Sequence, residues 1–167
     1  MTIWLTGFMG SGKSTVGRAL ARRLGRPFID LDREIERREG RTISAIFAES
    51  GEALFRDAER RALLGLSTDA GPVVATGGGI VIDPQNRQLM DHTGLRIWLN
   101  CPPAELQRRL ASDSAAGVHR PLWRSDPEEL ANLLEQRSAA YAEAALVLDA
   151  TAATEVTVQA IIDALPA

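Results

Sequence analysis

The octapeptide Gly7-Phe8-Met9-Gly10-Ser11-Gly12-Lys13-Ser14 fits the pattern G-x-x-x-x-G-K-[ST]. An apolar run, Ile3-Trp4-Leu5, precedes it, and a helical pattern carrying Val16, Leu20 and Leu24 over residues 13–24 follows. Strand, glycine turn and helix, in that order, are the setting in which the pattern forms a phosphate-binding loop. Glycines let backbone N–H groups turn inward around phosphate oxygens, and the helix start adds a favourable dipole. Lys13 suits the β- and γ-phosphates of a nucleoside triphosphate, and the Ser14 hydroxyl suits a magnesium ion. The nucleotide is therefore expected on Gly10, Ser11, Gly12, Lys13, Ser14 and the adjoining Thr15.

The surrounding composition sharpens this. Of the 19 basic residues, 18 are arginine, and the single lysine is Lys13. Either a codon bias spares one lysine, or this position needs a compact point charge that a planar guanidinium cannot replace. A GTPase needs the base-reading N-K-x-D, which cannot exist in a chain whose one lysine is already used.

Further along, short apolar runs at 28–29, 73–75, 95–99 and 146–148 alternate with helical patterns at 51–67, 102–111, 127–142 and 155–165. Strands alternating with helices predict an α/β fold: a parallel sheet with helices on both faces. No repeat, low-complexity tract or linker interrupts the chain, so residues 1–167 are expected to form one domain. The polar stretch 112–117 reads as a loop, either a lid or plain surface.

Composition excludes several classes. With 45% hydrophobic and 25% charged residues, the chain of 167 has the balance of a soluble globular protein. A net charge of −3 argues against a general nucleic-acid or membrane-surface binder. One cysteine, Cys101, supports neither a disulfide framework nor a cysteine zinc site, and His92 and His119 lack metal-ligand spacing. No apolar run is long enough to span a membrane, and the N-terminus lacks a basic leader. A reducing cytoplasm is the expected setting.

In an open parallel sheet, ligands sit beyond the carboxyl ends of the strands. Gly7, Asp30, Asp32, Gly77-Gly78-Gly79 and Asn100 fall there. Asp30 and Asp32, two apart on an extended segment, are expected to point the same way. One would support the magnesium shell and the other orient an acceptor hydroxyl, although helix capping also explains an aspartate there. Arg56 and Glu59 share a helix face and read equally as a solvated ion pair. Arg137 falls in the apolar stripe Leu130, Leu133, Leu134, Tyr141, where a guanidinium needs an anion: an internal carboxylate or an acidic substrate. Three glycines at 77–79 allow close approach to backbone. Arg120, beside the polar stretch, is positioned to close over phosphates or simply to face solvent.

Taken together these residues resemble the shikimate kinase family. The ordered set is the phosphate loop, Asp30-Leu31-Asp32, Ile46-Phe47, Gly51-Glu52, Phe55-Arg56 with Glu59, Thr76-Gly77-Gly78-Gly79, Asn86-Arg87, Arg120-Pro121-Leu122, and Arg137 with Tyr141. The resemblance implies a three-layer P-loop kinase fold, with a five-stranded parallel sheet in the order 2-3-1-4-5. It implies a substrate-binding segment near 31–60 and a lid near 111–123. It implies transfer from ATP, with Mg²⁺, to the 3-hydroxyl of shikimate, by a monomer. Asp32 resembles the aspartate that holds the acceptor hydroxyls; Lys13 and Arg120 resemble the catalytic cations at the phosphates. Arg56 and Arg137 resemble the arginines that grip the substrate carboxylate, beside the backbone of Gly77, Gly78 and Gly79. Arg109, next to Arg108, resembles the arginine that stacks on adenine, and Asp30 the indirect magnesium partner. Departures are Trp123 in place of an aliphatic residue, a longer stretch 111–119, and Ala152-Ala153 near the expected adenine. The competing expectations are a kinase of another polyol acid or cyclitol such as gluconate, and a nucleotide-binding module without turnover.

Overall fold

A computed structural model describes residues 1–66, 71–115 and 126–166. Its five strands are β1 Thr2–Thr6, β2 Phe28–Asp30, β3 Val73–Ala75, β4 Gly94–Asn100 and β5 Leu146–Asp149. They form one parallel sheet in the order β2-β3-β1-β4-β5. Strand β1 is central because every residue in it is buried. Its side chains alternate between faces: Ile3 and Leu5 enter one apolar cluster, while Trp4 enters the other.

The described helices are α1 Lys13–Leu24, α2 Leu31–Glu39, α3 Ile43–Leu64, α4 Pro84–Thr93, α5 Pro103–Ala115, α6 Pro127–Ala142 and α7 Thr154–Ala164. Helices α1, α5 and α7 cover the Ile3–Leu5 side through Val16, Leu20, Leu106, Leu110, Val158 and Ile161. Helices α2, α3 and α4 cover the Trp4 side through Leu31, Ile35, Phe55, Ala62 and Met90. Helix α6 joins the layers, with Leu130 in the first cluster and Tyr141 in the second. None of the described helices is long and apolar enough to cross a membrane.

Several sequence expectations need correction. Asp30 and Asp32 do not share an extended segment: Asp30 ends β2, while Asp32 lies in the first turn of α2. The aspartate oxygen takes the Arg33 N–H, and this cap starts the helix one residue after the strand ends. The helix expected at 51–67 is the second part of α3, which begins at Ile43 and breaks at Gly51 (φ 78°, ψ 173°). Residues 112–115 are helical rather than loop, since neither glycine nor proline interrupts α5 before Gly117. Helix α4 has no counterpart in the periodicity reading. Its sequence signal was Asp83-Pro84, an N-cap followed by proline at the first helical position.

Register then decides what lies at the sheet's carboxyl edge. Leu5 pairs with Ala75 and Ile97, and Asp30 pairs with Ala75. Hydroxyls of Thr6 and Thr76 donate to the carbonyls of Ile97 and Leu5, at 2.9 and 3.0 Å, and lock the strand ends together. The glycine turn at 77–79 is thereby held beside the phosphate loop, and it runs into a 3₁₀ turn at Ile80–Ile82.

Candidate active site

The phosphate loop lies between β1 and α1, and three of its glycines, Gly7, Gly10 and Gly12, have φ of 143°, 81° and 92°. These torsions are closed to ordinary side chains and turn the loop's N–H groups inward. Gly12 stands at the N-terminus of α1 without a side-chain cap, which leaves the helix's first N–H groups for an anion. Lys13, a residue 9% exposed, donates from its ammonium to the carbonyls of Gly7 and Phe8 at 2.9 and 2.8 Å. Ser14 Oγ donates to Asp30 Oδ2 at 2.8 Å. Asp30 thus caps α2 and holds Ser14 at once.

A cleft of about 890 Å³ extends from this loop. On its far side α2 brings Asp32, α3 brings Arg56 and Glu59, and the turn after β3 brings Gly77 and Gly79. The three turn glycines have no positive φ; close packing, not torsion, requires them. A Cβ on Gly77 would stand 2.8 Å from Glu59 Oε1 and 3.0 Å from Asp32 Oδ1. One on Gly78 would stand 3.3 Å from the Met9 amide nitrogen, and one on Gly79 2.6 Å from Arg56 Nη2.

Arg56 is held by two carboxylates of its own helix. Its Nη1 donates to Glu59 Oε2 at 2.9 Å, and its Nε and Nη2 donate to Glu52 Oε1 at 3.3 and 3.0 Å. The Glu59 side chain is 1% exposed. Burial pushes its carboxyl up to about 7, against the pull of Arg56, with Asp32 nearby adding to the rise. Glu59 is therefore not the solvated half of a surface pair.

Arg137 is 8% exposed and donates to the Gly78 carbonyl at 3.4 Å, with its guanidinium 5.5 Å from the centre of the Phe8 ring. Among the described residues no carboxylate forms an ion pair with it. Tyr141, stacked on Trp98, donates its hydroxyl to the same carbonyl. Burial raises the Tyr141 phenol well above its ordinary range, so it stays a donor. The two side chains clamp the middle of the glycine turn.

At the other end of the cleft the neighbouring arginines of α5 separate. Arg108 pairs with Glu105 and its side chain is 69% exposed. Arg109 Nη2 donates to the Ala150 carbonyl at 2.8 Å and Nη1 to the Gly10 carbonyl at 3.5 Å, which holds the guanidinium against the phosphate loop. Arg120 and most of the expected lid lie outside the described residues, as does Trp123. Sequence reasoning did not single out Glu52 beyond its place beside Gly51, nor the central position of Glu59; a carboxylate four residues before, and another three after, the same arginine was the available signal.

The chain is similar to known proteins over most of its length. The shikimate kinase family model matches residues 9–166. The chain is 44% identical over 142 residues to a shikimate kinase of Persephonella marina, spanning 85% of this chain and 84% of that one. It is 48% identical over 147 residues to a shikimate kinase of Geobacter sulfurreducens, spanning 87% and 79%. Among solved structures, the shikimate kinase of Acinetobacter baumannii in complex with shikimate superposes with a TM-score of 0.88 at 36% identity, covering 97% of this chain and 90% of that one.

Proposed function

The chain belongs to the shikimate kinase family, and on that premise we propose how its cleft carries out ATP-dependent phosphorylation of the shikimate 3-hydroxyl. The observation that carries the assignment is the meeting of Asp32, Arg56, Glu59 and the 77–79 turn across one cleft from the phosphate loop. A nucleotide-binding module without turnover needs no such second half.

The phosphate loop holds the donor. Its inward N–H groups and the start of α1 take phosphate oxygens. Lys13 exchanges the Gly7 and Phe8 carbonyls for oxygens of the phosphate that moves, where charge develops during transfer. Ser14, with Asp30 behind it, has the oxygen donors a hard divalent cation takes, so these residues fit Mg²⁺, which supplies charge neutralisation on the phosphates. Arg109, held over the loop, borders the nucleotide. Arg120 would reach the phosphates when the segment near 111–123 closes.

Asp32 orients the acceptor. Its carboxylate, against Gly77, accepts the hydroxyl proton's hydrogen bond and points the oxygen's lone pair at the phosphorus. Phosphoryl transfer is loose, so positioning does most of the work. Arg56 and Arg137 take the substrate carboxylate through charge-assisted bonds, and the Gly77 to Gly79 backbone lets the ring lie close. We read residues 1–167 as one kinase domain acting as a monomer, with the substrate segment at about 31–60. A single buried cysteine, Cys101, suits the cytoplasm.

The test is ADP release by the purified protein with Mg²⁺ and ATP, with shikimate or gluconate as acceptor. Release that requires shikimate is expected. Release equal with both acceptors, or with neither, would refute the assignment.

A further inference from the structure

Arg56 offers a ligand fewer donors than its charge suggests. A guanidinium has five N–H groups along three edges. Nη1 is bonded to Glu59, a buried partner on the same helix. The outer edge, between Nη1 and Nη2, faces the glycine turn: the Cβ position of Gly79 is 2.7 and 2.6 Å from the two nitrogens and 3.0 Å from Cζ. Near-equal distances to both nitrogens, with carbon farther, mean an end-on approach. Backbone therefore covers that edge. The remaining edge, Nε with Nη2, is the one suited to a forked bond with a carboxylate. Glu52 Oε1 occupies it, at 3.3 and 3.0 Å.

The two carboxylates on Arg56 differ in kind. Glu59 is buried and Glu52 is 65% exposed in its side chain. Breaking the Glu59 pair leaves a buried charge; breaking the Glu52 pair returns a carboxylate to water at little cost. Gly51 breaks α3 immediately before Glu52, so Glu52 stands at the start of a restarted helix, where a free carboxylate is favoured by the helix dipole. Glu52 thus has a stable place to be without Arg56.

We propose that Glu52 is a placeholder carboxylate, occupying the forked edge of Arg56 until the substrate's own carboxylate displaces it, so that Glu52 sets the affinity for acidic acceptors. This rests on the reading of Arg56 as a substrate-carboxylate ligand. Glu52 acts through Arg56 and does not touch the reacting atoms.

The experiment compares the whole protein with its Glu52→Gln and Glu52→Ala variants in steady-state kinetics with shikimate and with shikimate methyl ester, which lacks the charge. Removing an internal competitor lowers KM. The expected fall for shikimate is about two- to fivefold, the range of an exposed ion pair. The change is carried by KM rather than kcat, the KM for ATP is unmoved, and the ester's KM does not follow. A KM for shikimate that rises would mean that Glu52 positions Arg56, and an unchanged KM that it is a bystander; either overturns the proposal, as does an equal fall with the ester. An Arg56→Gln variant separates the underlying reading. If it leaves the shikimate KM unchanged, Arg56 is not the carboxylate ligand, and both ideas fall. If it raises that KM while the Glu52 variants lower nothing, only the placeholder fails.

Discussion

Arg56 Nη1 donates to Glu59 Oε2 at 2.9 Å, while Oε1 of the same buried carboxyl has no hydrogen-bond partner among the described residues. That half-satisfied group has a pH signature. Its carboxyl titrates at about 7 in the folded chain, above its ordinary 4.5, with burial the main cause. Between those two values the folded state holds a proton that the unfolded state has lost. Stability therefore falls as pH rises through that window. We expect the Tm of the wild type to drop more between pH 5 and pH 8 than that of Glu59→Gln, whose amide cannot ionise. Parallel Tm curves would show that Glu59 carries no such linkage.

Asp32→Asn keeps the shape of the side chain and removes its charge. Turnover should fall by about 10²- to 10⁴-fold, the range for a group that handles the acceptor proton. Nucleotide affinity should be retained, because the phosphate loop is built from other residues. Titration of Mg²⁺–ATP by calorimetry alongside kcat separates the two, and near-normal turnover would remove Asp32 from its assigned role.

Lys13→Arg preserves charge and changes shape. The ammonium reaches two loop carbonyls less than 3 Å away, from a site 9% exposed. A planar guanidinium does not fit that space. We expect kcat to fall by at least about 10²-fold, comparable to losing one donor at a developing negative charge. Full activity would make the lone lysine an accident of composition.

Gly77→Ala and Gly79→Ala should separate the two halves of the acceptor site. Neither glycine has a positive φ, so alanine adds only a methyl group. At Gly77 that methyl meets Glu59 and Asp32 at 2.8 and 3.0 Å, and the cost should appear chiefly in kcat. At Gly79 it meets Arg56 Nη2 at 2.6 Å, and the cost should appear chiefly in the shikimate KM, by about tenfold for one weakened charge-assisted bond. The same kcat and KM pattern in both variants would contradict the division.

The phosphate loop was legible in the sequence because its parts are contiguous. Gly7 to Ser14 form the site by local torsion and a helix start, with little help from distant residues. The strands and their alternation with helices were legible because each is a short contiguous apolar run, buried throughout in β1 and β3 and only in part in the edge strands β2 and β5. Legibility ended where two physical demands met in one residue. Asp30 both caps α2 and holds Ser14, so the extended segment expected to reach Asp32 ends at Asp30, and Asp32 reaches the cleft from a helix instead of a strand. Helix α4 was missed because its apolar contacts are few, with Asn86 and Met90 its buried residues, although Asp83-Pro84 marked its start.

By itself, then, the sequence determined a nucleotide loop, a parallel α/β core and, through ordered resemblance, the family. Tertiary structure alone decided which partners those residues have. It put Arg108 in solvent and Arg109 over the loop, although the two are adjacent. It placed Glu59 in a dry site and Glu52 in water, although both flank Arg56 on one helix. The reason is that charge states and steric limits depend on what packs across from a residue. Here that is the 77–79 turn, brought to α3 by the parallel pairing of β3 with β1, and nothing in the local sequence of α3 encodes it.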